Sequence, residues 1–283
     1  MGKIFEALQK AEEENIQAST AETIESSPVN TVFDDKLVCY FQSGSIVSEQ
    51  FKKLRTYLLM PALGEKPKTI LITSAFSGEG KSLIAINLAI TIAMEFHSHA
   101  LLLDCDLRNP SLSRWFGVDK AKGLSDYLLG YADLPDLIMK TGIDKLNILT
   151  GGSSQENPVE MIGSKKMESL IDELKSRYSD RHIILDSSPV LATTEPHVLY
   201  KLVDCIILVI RAGITPRGPI QQAIKFLGKD KIIGVVLNDM NFKSAALRSR
   251  YFGTSQYYPY HGNVKKDKSK SFGRKISSKF NNK

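Results

Sequence analysis

Short continuous apolar runs recur along the middle of the chain, separated by stretches in which apolar positions return every three or four residues. The runs predict strands at Thr69–Thr73, Ala100–Asp104, Leu146–Leu149, His182–Leu185, Cys205–Ile210 and Ile232–Leu237. The intervening stretches predict helices at about Lys81–Phe96, Leu124–Leu129, Lys165–Tyr178, Glu195–Leu202 and Pro219–Leu227. A further helix is expected over roughly Ser45–Leu59, ended by Pro61, Gly64 and Pro67. The strand runs are uniformly apolar and do not alternate, which is the pattern of parallel strands covered on both faces. Strand and helix in alternation predict an α/β fold: a doubly wound, mostly parallel sheet flanked by helices, with ligands at the carboxyl ends of its strands.

Outside this region the pattern changes. Residues 1–14 read as a short amphipathic helix with Ile4, Phe5, Leu8 and Ala11 on one side, and residues 15–30 as a polar linker. The organisation expected is therefore an N-terminal helix and linker over 1–30, a core domain over 31–245 and an extended tail over 246–283. Within that tail, residues 262–283 hold eight Lys/Arg against one Asp, which exceeds the whole chain's net charge of +6 and leaves the remainder nearly neutral. Such a tail buries too little apolar surface to fold alone. It suits anionic lipid headgroups or nucleic acid, and a solubilising end is an equal alternative. Three widely spaced cysteines, Cys39, Cys105 and Cys205, make neither a metal-ligand pair nor an even disulfide set, as in a reducing compartment. The first residues lack the apolar region of a secretory signal, and no apolar run reaches the ~18–20 residues that span a bilayer. A cytoplasmic protein is expected, reaching a membrane only through a partner or a surface contact.

The densest chemical signal lies between the first strand and the helix that follows it: Ala75-Phe-Ser-Gly-Glu-Gly-Lys-Ser82. Gly-x-Gly alone is compatible with a plain turn. Gly-x-Gly-Lys-Ser between a strand and a helix is the layout of a phosphate-binding loop. Gly78 and Gly80 let the backbone wrap a phosphate, and loop N–H groups at the helix start point at the anion. Lys81 neutralises β- and γ-phosphates in this reading, and the Ser82 hydroxyl serves Mg²⁺. The nucleotide-contacting stretch comprises Ser77, Gly78, Glu79, Gly80, Lys81, Ser82 and Leu83. The first position departs from the usual pattern, being Ala75.

Two other strands end in carboxylates. The second closes as Leu101-Leu-Leu-Asp104-Cys-Asp106-Leu-Arg108, and the fourth as Ile183-Ile-Leu-Asp186-Ser-Ser-Pro189. Each Asp taken singly could be a helix cap or a polar turn residue. Together they predict one neighbourhood at the same sheet edge as the phosphate loop, with Ser82 and Asp186 serving a metal and Asp104 or Asp106 free to take a proton. Tyr251, Tyr257, Tyr258 and Tyr260 cluster after the last strand. They could pack at an interface, stack on bases, or accept a phosphoryl group.

These motifs together resemble the bacterial tyrosine autokinases of capsule and exopolysaccharide biosynthesis, over roughly residues 45–260. The family's loop Ser-x-x-Pro-Gly-Glu-Gly-Lys-Ser reads Ser74-Ala-Phe-Ser-Gly-Glu-Gly-Lys-Ser82 here, with Ser77 for the proline. Its Asp-x-Asp-x-Arg motif is complete at Asp104, Asp106 and Arg108, and its Asp-Thr-Pro-Pro becomes Asp186-Ser-Ser-Pro189. The resemblance implies a P-loop NTPase fold and ATP and Mg²⁺ as cofactors. It implies Lys81, Asp104, Asp106 and Asp186 as catalytic residues, with Ser82, Asp104 and Asp186 at the metal. Arg211 and Asn238 would lie near the base, and the four C-terminal tyrosines would be the acceptors. The family's Glu-x-x-Arg-x-x-Arg motif for ring-type self-association corresponds to Glu49, Lys52 and Arg55, with Lys for the first Arg. Without a spanning segment, the chain is similar to the two-component members. The partners implied are a membrane-embedded polysaccharide chain-length determinant that acts as activator, further copies of the chain and a cognate tyrosine phosphatase. No specific nucleic acid is implied. A positioning or partitioning ATPase of the same superfamily is the alternative, but its signature lysine is replaced by Phe76. A nucleotide-binding scaffold without catalysis is the other.

Overall fold

A computed structural model describes residues 34–61, 65–118, 122–177 and 180–240. The helix expected at 1–14, the linker, the tyrosine cluster and the basic tail lie outside the described residues.

The described residues form a seven-stranded sheet of order β3-β4-β2-β5-β1-β6-β7. Its strands are β1 (Thr69–Ser74), β2 (His99–Asp104), β3 (Met139–Lys140), β4 (Leu146–Leu149), β5 (Arg181–Asp186), β6 (Cys205–Arg211) and β7 (Ile232–Asn238). All neighbours run parallel except the antiparallel pair β3 and β4. All six expected strands are present. The additional one, β3, is two residues long and carries too little pattern to be read from sequence.

The uninterrupted apolar runs put side chains into two cores. Leu71, Leu101, Leu103, Ile183, Leu185, Ile206 and Leu208 face helices Lys165–Arg177, Glu195–Leu202 and Arg217–Leu227. On the other face Ile70, Ile72, Leu102, Ile184, Ile207 and Val209 meet helix Lys81–Ala93. That helix is apolar nearly all round, as a helix enclosed between two layers must be. Every residue from Ile84 to Ala93 is buried. Its outer side is covered by short helix Val38–Phe41 and by helix Ile46–Leu59. The buried amide of Asn87 is paired at both ends: Oδ1 accepts the Cys39 N–H at 3.0 Å and Nδ2 donates to the Leu83 and Lys36 carbonyls. Ser45 caps helix Ile46–Leu59 by accepting the Ser48 N–H.

One expectation requires correction. β7 is not covered on both faces: Ile233, Val235 and Leu237 are exposed, while Ile232, Gly234 and Val236 are half-buried. As the edge strand it has a neighbour only in β6 among the described residues. An apolar run cannot by itself distinguish an edge strand from a central one.

The topology brings one edge of the sheet together. β1 lies between β5 and β6, and the chain reverses direction across the sheet at β1. The carboxyl ends of β1, β2 and β5 therefore converge at a switch point, where α/β sheets bind ligands. The turn after β4 closes the β2 side. Here a Cβ on Gly123 would sit 2.2 Å from the Thr150 carbonyl oxygen and 2.3 Å from the Gly152 nitrogen. Backbone cannot yield as a flexible side chain can, so Gly123→Ala is expected to destabilise the fold by about 1–3 kcal/mol. Urea denaturation midpoints of the two proteins check this.

Candidate active site

The phosphate loop leaves β1 at Ser74 and is held at several points before any ligand is considered. Gly78 and Gly80 have φ of +81° and +91°, the left-handed region that favours glycine. Ala75 is fully buried and is not among the residues with positive φ, so this position accepts a methyl group where the usual pattern has glycine. Ser74 Oγ donates to the Phe76 carbonyl at 2.7 Å, and the Phe76 N–H donates to Glu79 Oε2 at 2.8 Å. The loop ends at Gly80, where helix Lys81–Ala93 begins with its free N–H groups toward the loop. Ser77 is exposed; Ser82 and Leu83 are half-buried in the first turn.

Lys81 points back across the loop to Asp106, Nζ to Oδ2 2.8 Å, with both side chains largely buried. Burial would push the Lys81 ammonium down. The nearby Asp186, Asp106 and Asp104 carboxylates outweigh it and hold the pKa above its ordinary value.

Asp104 and Asp186 are register partners at the ends of neighbouring parallel strands, and both are fully buried. Burial first, and then the Asp186 charge, push Asp104 up to about 7. Burial also raises Asp186, to about 6, partly offset by Lys81 and by the facing Ser82 hydroxyl. Their hydrogen bonding differs sharply. Asp104 Oδ2 accepts the N–H groups of Ser111 (2.7 Å) and Leu112 (2.9 Å), and Oδ1 that of Asp106 (3.3 Å). Asp104 thus shapes its own loop. Asp186 has two buried oxygens with no hydrogen-bond partner of good geometry. Buried carboxylate oxygens left this way can take a water or a cation as partner. The loop after Asp186 runs alongside the phosphate loop, with Ser187 N–H on the Ile72 carbonyl, Val190 N–H on Ser74 and Thr73 Oγ1 on the Ser188 carbonyl.

Arg211 and Asn238 are register partners at the ends of β6 and β7, on the opposite side of the phosphate loop from β2. Asn238 Nδ2 donates to the Glu79 carbonyl at 2.9 Å, and Arg211 pairs with Asp239, Nη2 to Oδ2 2.9 Å. Asn238 is thus a brace of the loop as well as a candidate for the base. Arg108 leaves the loop after β2 and pairs through Nε with buried Glu195 at 2.8 Å, linking the segments that follow β2 and β5. Glu49 and Lys52 pair within their helix at 2.7 Å, while Arg55 donates to the Thr91 carbonyl, 3.0 Å away on helix Lys81–Ala93. The tyrosines at 251, 257, 258 and 260 are outside the described residues.

Three site neighbours were not assigned a place in the site from the sequence. Ser111 Oγ donates to Ser82 Oγ at 3.2 Å, Glu195 holds Arg108, and Thr215 donates to Glu79. Each is a polar residue in a loop or at a helix start, distant in the chain from its partner. Only their placement makes them part of the site.

A left-handed glycine loop before a helix, a lysine held among carboxylates and a buried strand-end Asp define a P-loop nucleotide-binding protein. No protein-family model matches the chain. Among curated proteins it is 31% identical to tyrosine-protein kinase YwqD of Bacillus subtilis over 216 residues, covering 76% of this chain and 90% of YwqD. It is 31% identical to tyrosine-protein kinase CpsD of Streptococcus agalactiae over 196 residues, covering 68% of this chain and 82% of CpsD. The crystal structure of the chimerical protein CapA2B2 superposes with a TM-score of 0.68 at 30% identity, covering 73% of this chain and 91% of that one. The chain belongs to the bacterial tyrosine-protein kinase family. Among the described residues no helix is long and apolar enough to cross a membrane.

Proposed function

We propose that the chain is an ATP- and Mg²⁺-dependent autokinase acting on its own C-terminal tyrosines, Tyr251, Tyr257, Tyr258 and Tyr260. The observation that carries this is the Lys81–Asp106 pair, 2.8 Å apart, beside the partnerless Asp186 oxygens. Lys81 is paired with Asp106 in the structure. A triphosphate in the loop attracts Lys81 and leaves Asp106 free to receive the phenolic proton. The tyrosine oxygen then bonds to the γ-phosphorus, the bond to the β-phosphate oxygen breaks, and ADP leaves.

Among the described residues no group of three or more His, Cys, Asp or Glu is arranged to hold a metal. Mg²⁺ does not require one, because it binds through one or two carboxylates together with substrate phosphates. Asp186 and Ser82 fit that role, and the ion neutralises phosphate charge when bound. Asp104, already bonded to three backbone N–H groups, holds the loop that carries Asp106.

In the cell this reading implies regulation of exopolysaccharide or capsule polymerisation or export. The kinase domain is recruited to the inner face of the membrane by a membrane-embedded chain-length determinant that activates it. Copies of the chain associate through the face that carries Glu49, Lys52 and Arg55, a phosphatase resets the tyrosines, and the basic tail contacts anionic lipid.

The test is incubation of the full chain with ATP and Mg²⁺, with and without the activator's cytoplasmic segment, followed by phosphotyrosine mapping by mass spectrometry. Label confined to the 251–260 cluster is the expected result. ATP hydrolysis stimulated by DNA or lipid, without phosphotyrosine, would instead establish a positioning ATPase. Nucleotide binding with neither activity would establish a scaffold.

A further inference from the structure

Glu79 lies inside the loop that is to receive a triphosphate. It brings a carboxylate, only 4% exposed, into the segment whose N–H groups are to bind anions. Like charges at such separations repel strongly where water is excluded. The structure shows how the carboxylate is held. One oxygen, Oε2, accepts the Phe76 N–H at 2.8 Å. The other, Oε1, accepts the hydroxyl of Thr215, 136 residues away in the turn after β6. A carboxylate only accepts, so the Thr215 hydroxyl is the donor, while its oxygen accepts the Arg211 N–H at 3.3 Å. The Thr215 proton is left to Glu79. The Glu79 carbonyl is held as well, by Asn238 Nδ2 at 2.9 Å. A Cβ on Gly80 would lie 2.1 Å from that same Nδ2, so the amide is packed directly against the loop.

We infer that Thr215 is a positioning residue for the phosphate loop: its hydroxyl locks the Glu79 carboxylate into a closed ring with the Phe76 N–H. The loop then meets the nucleotide in a preset shape, without a mobile negative charge beside the phosphates. Without the hydroxyl, Oε1 loses its donor and the carboxylate is free to move toward the ligand. The cost grows with phosphate charge, so it falls more heavily on ATP than on ADP. Thr215 touches neither nucleotide nor reacting atoms in this role. It acts through Glu79.

The role rests on the loop being the triphosphate site, as proposed above. Binding of ATP and ADP to the full chain, each with Mg²⁺, is therefore measured first by titration calorimetry. Absence of both would sink the nucleotide reading itself. With binding established, Thr215→Val is expected to weaken ATP roughly ten-fold, the loss of one hydrogen bond to a charged group, and to weaken ADP clearly less. Thr215→Ser, which keeps the hydroxyl, is expected to bind like the wild type. Glu79→Gln in the Thr215→Val background is expected to recover most of the ATP affinity, because the neutral amide does not repel phosphate. Equal losses for ATP and ADP, or no recovery with Glu79→Gln, would make Thr215 a packing residue and overturn the proposal; so would unchanged ATP binding in Thr215→Val. Apo melting temperatures report whether each variant folds. If Thr215→Val does not, Thr215→Ala decides by the same comparison: an ATP-to-ADP affinity ratio shifted away from ATP is expected, and an unshifted ratio overturns the proposal.

Discussion

Replacing Lys81 by methionine is expected to abolish phosphotyrosine formation, by a factor of about a thousand or more. Two effects combine. The variant loses the cation that meets the β- and γ-phosphates, and a single such contact to developing charge is worth about 10²–10³ in rate. It also leaves Asp104, Asp106 and Asp186 together in a buried site without their common counter-charge. Removing one partner of a buried pair destabilises by about 3–5 kcal/mol. The variant is therefore expected to melt at a lower temperature at neutral pH as well as to be inactive. The two effects separate in a double variant. Asp106→Asn placed beside Lys81→Met removes the stranded charge and is expected to regain stability, while phosphotyrosine stays at background. Quantitative mass spectrometry of the C-terminal segment, with melting curves on the same samples, reads both. Retention of more than a tenth of the wild-type label in Lys81→Met would refute the assignment of Lys81.

The second large effect is on the pH dependence of stability. Asp104 and Asp186 have folded pKa values of about 7 and about 6, both above the 3.8 of a free carboxyl. Between pH 4 and 7 the unfolded chain has released these protons while the native pair still holds at least one. The native state then binds more protons, so stability falls as pH rises through this window and the full penalty is present above about 7. A tenfold change in proton affinity is worth about 1.4 kcal/mol, so the two raised carboxyls make this fall a matter of several kcal/mol. Asp186→Asn removes one of the two buried charges and, with it, the coulombic push on Asp104. Its stability is therefore expected to change much less between pH 5 and pH 7.5 than that of the wild type, both measured by denaturant unfolding without nucleotide or metal. A wild type that gains stability relative to Asp186→Asn as the pH rises would contradict the assignment. The same substitution replaces the carboxylate suited to Mg²⁺ by a neutral amide, so it is expected to lose metal-dependent transfer while becoming less sensitive to pH. A charge that is costly in the empty protein and useful with ligand is common at functional sites.

Much of this architecture was legible along the chain. The strands at Thr69–Ser74 and Arg181–Asp186 are single apolar runs bounded by polar residues, and a parallel sheet asks little more of sequence. Helix Lys81–Ala93 announced itself by being apolar on every side. The edge character of β7 was not legible, because Ile232–Leu237 has the composition of a central strand and lacks only a second neighbour among the described residues. In the site, residues close in sequence were the readable ones. Gly78, Gly80, Lys81 and Ser82 act within one turn of chain, and Asp104 and Asp106 within one loop.

What the sequence determined by itself, then, is local: which segments become strands and helices, where a glycine loop meets a helix, and that carboxylates leave two of the strands. Those features depend on side-chain period, on φ and on the first turn of a helix, all set by neighbours in the chain. Only the tertiary structure decided how the carboxylates divide their work. Asp104 and Asp186 look alike in sequence, yet packing surrounds the first with backbone donors and leaves the second without any. Only the fold, likewise, brings Thr215 and Asn238 to Glu79 across a strand order that sequence does not specify. Hydrogen bonds act over about 3 Å, so which donors reach a buried oxygen depends on how distant segments pack.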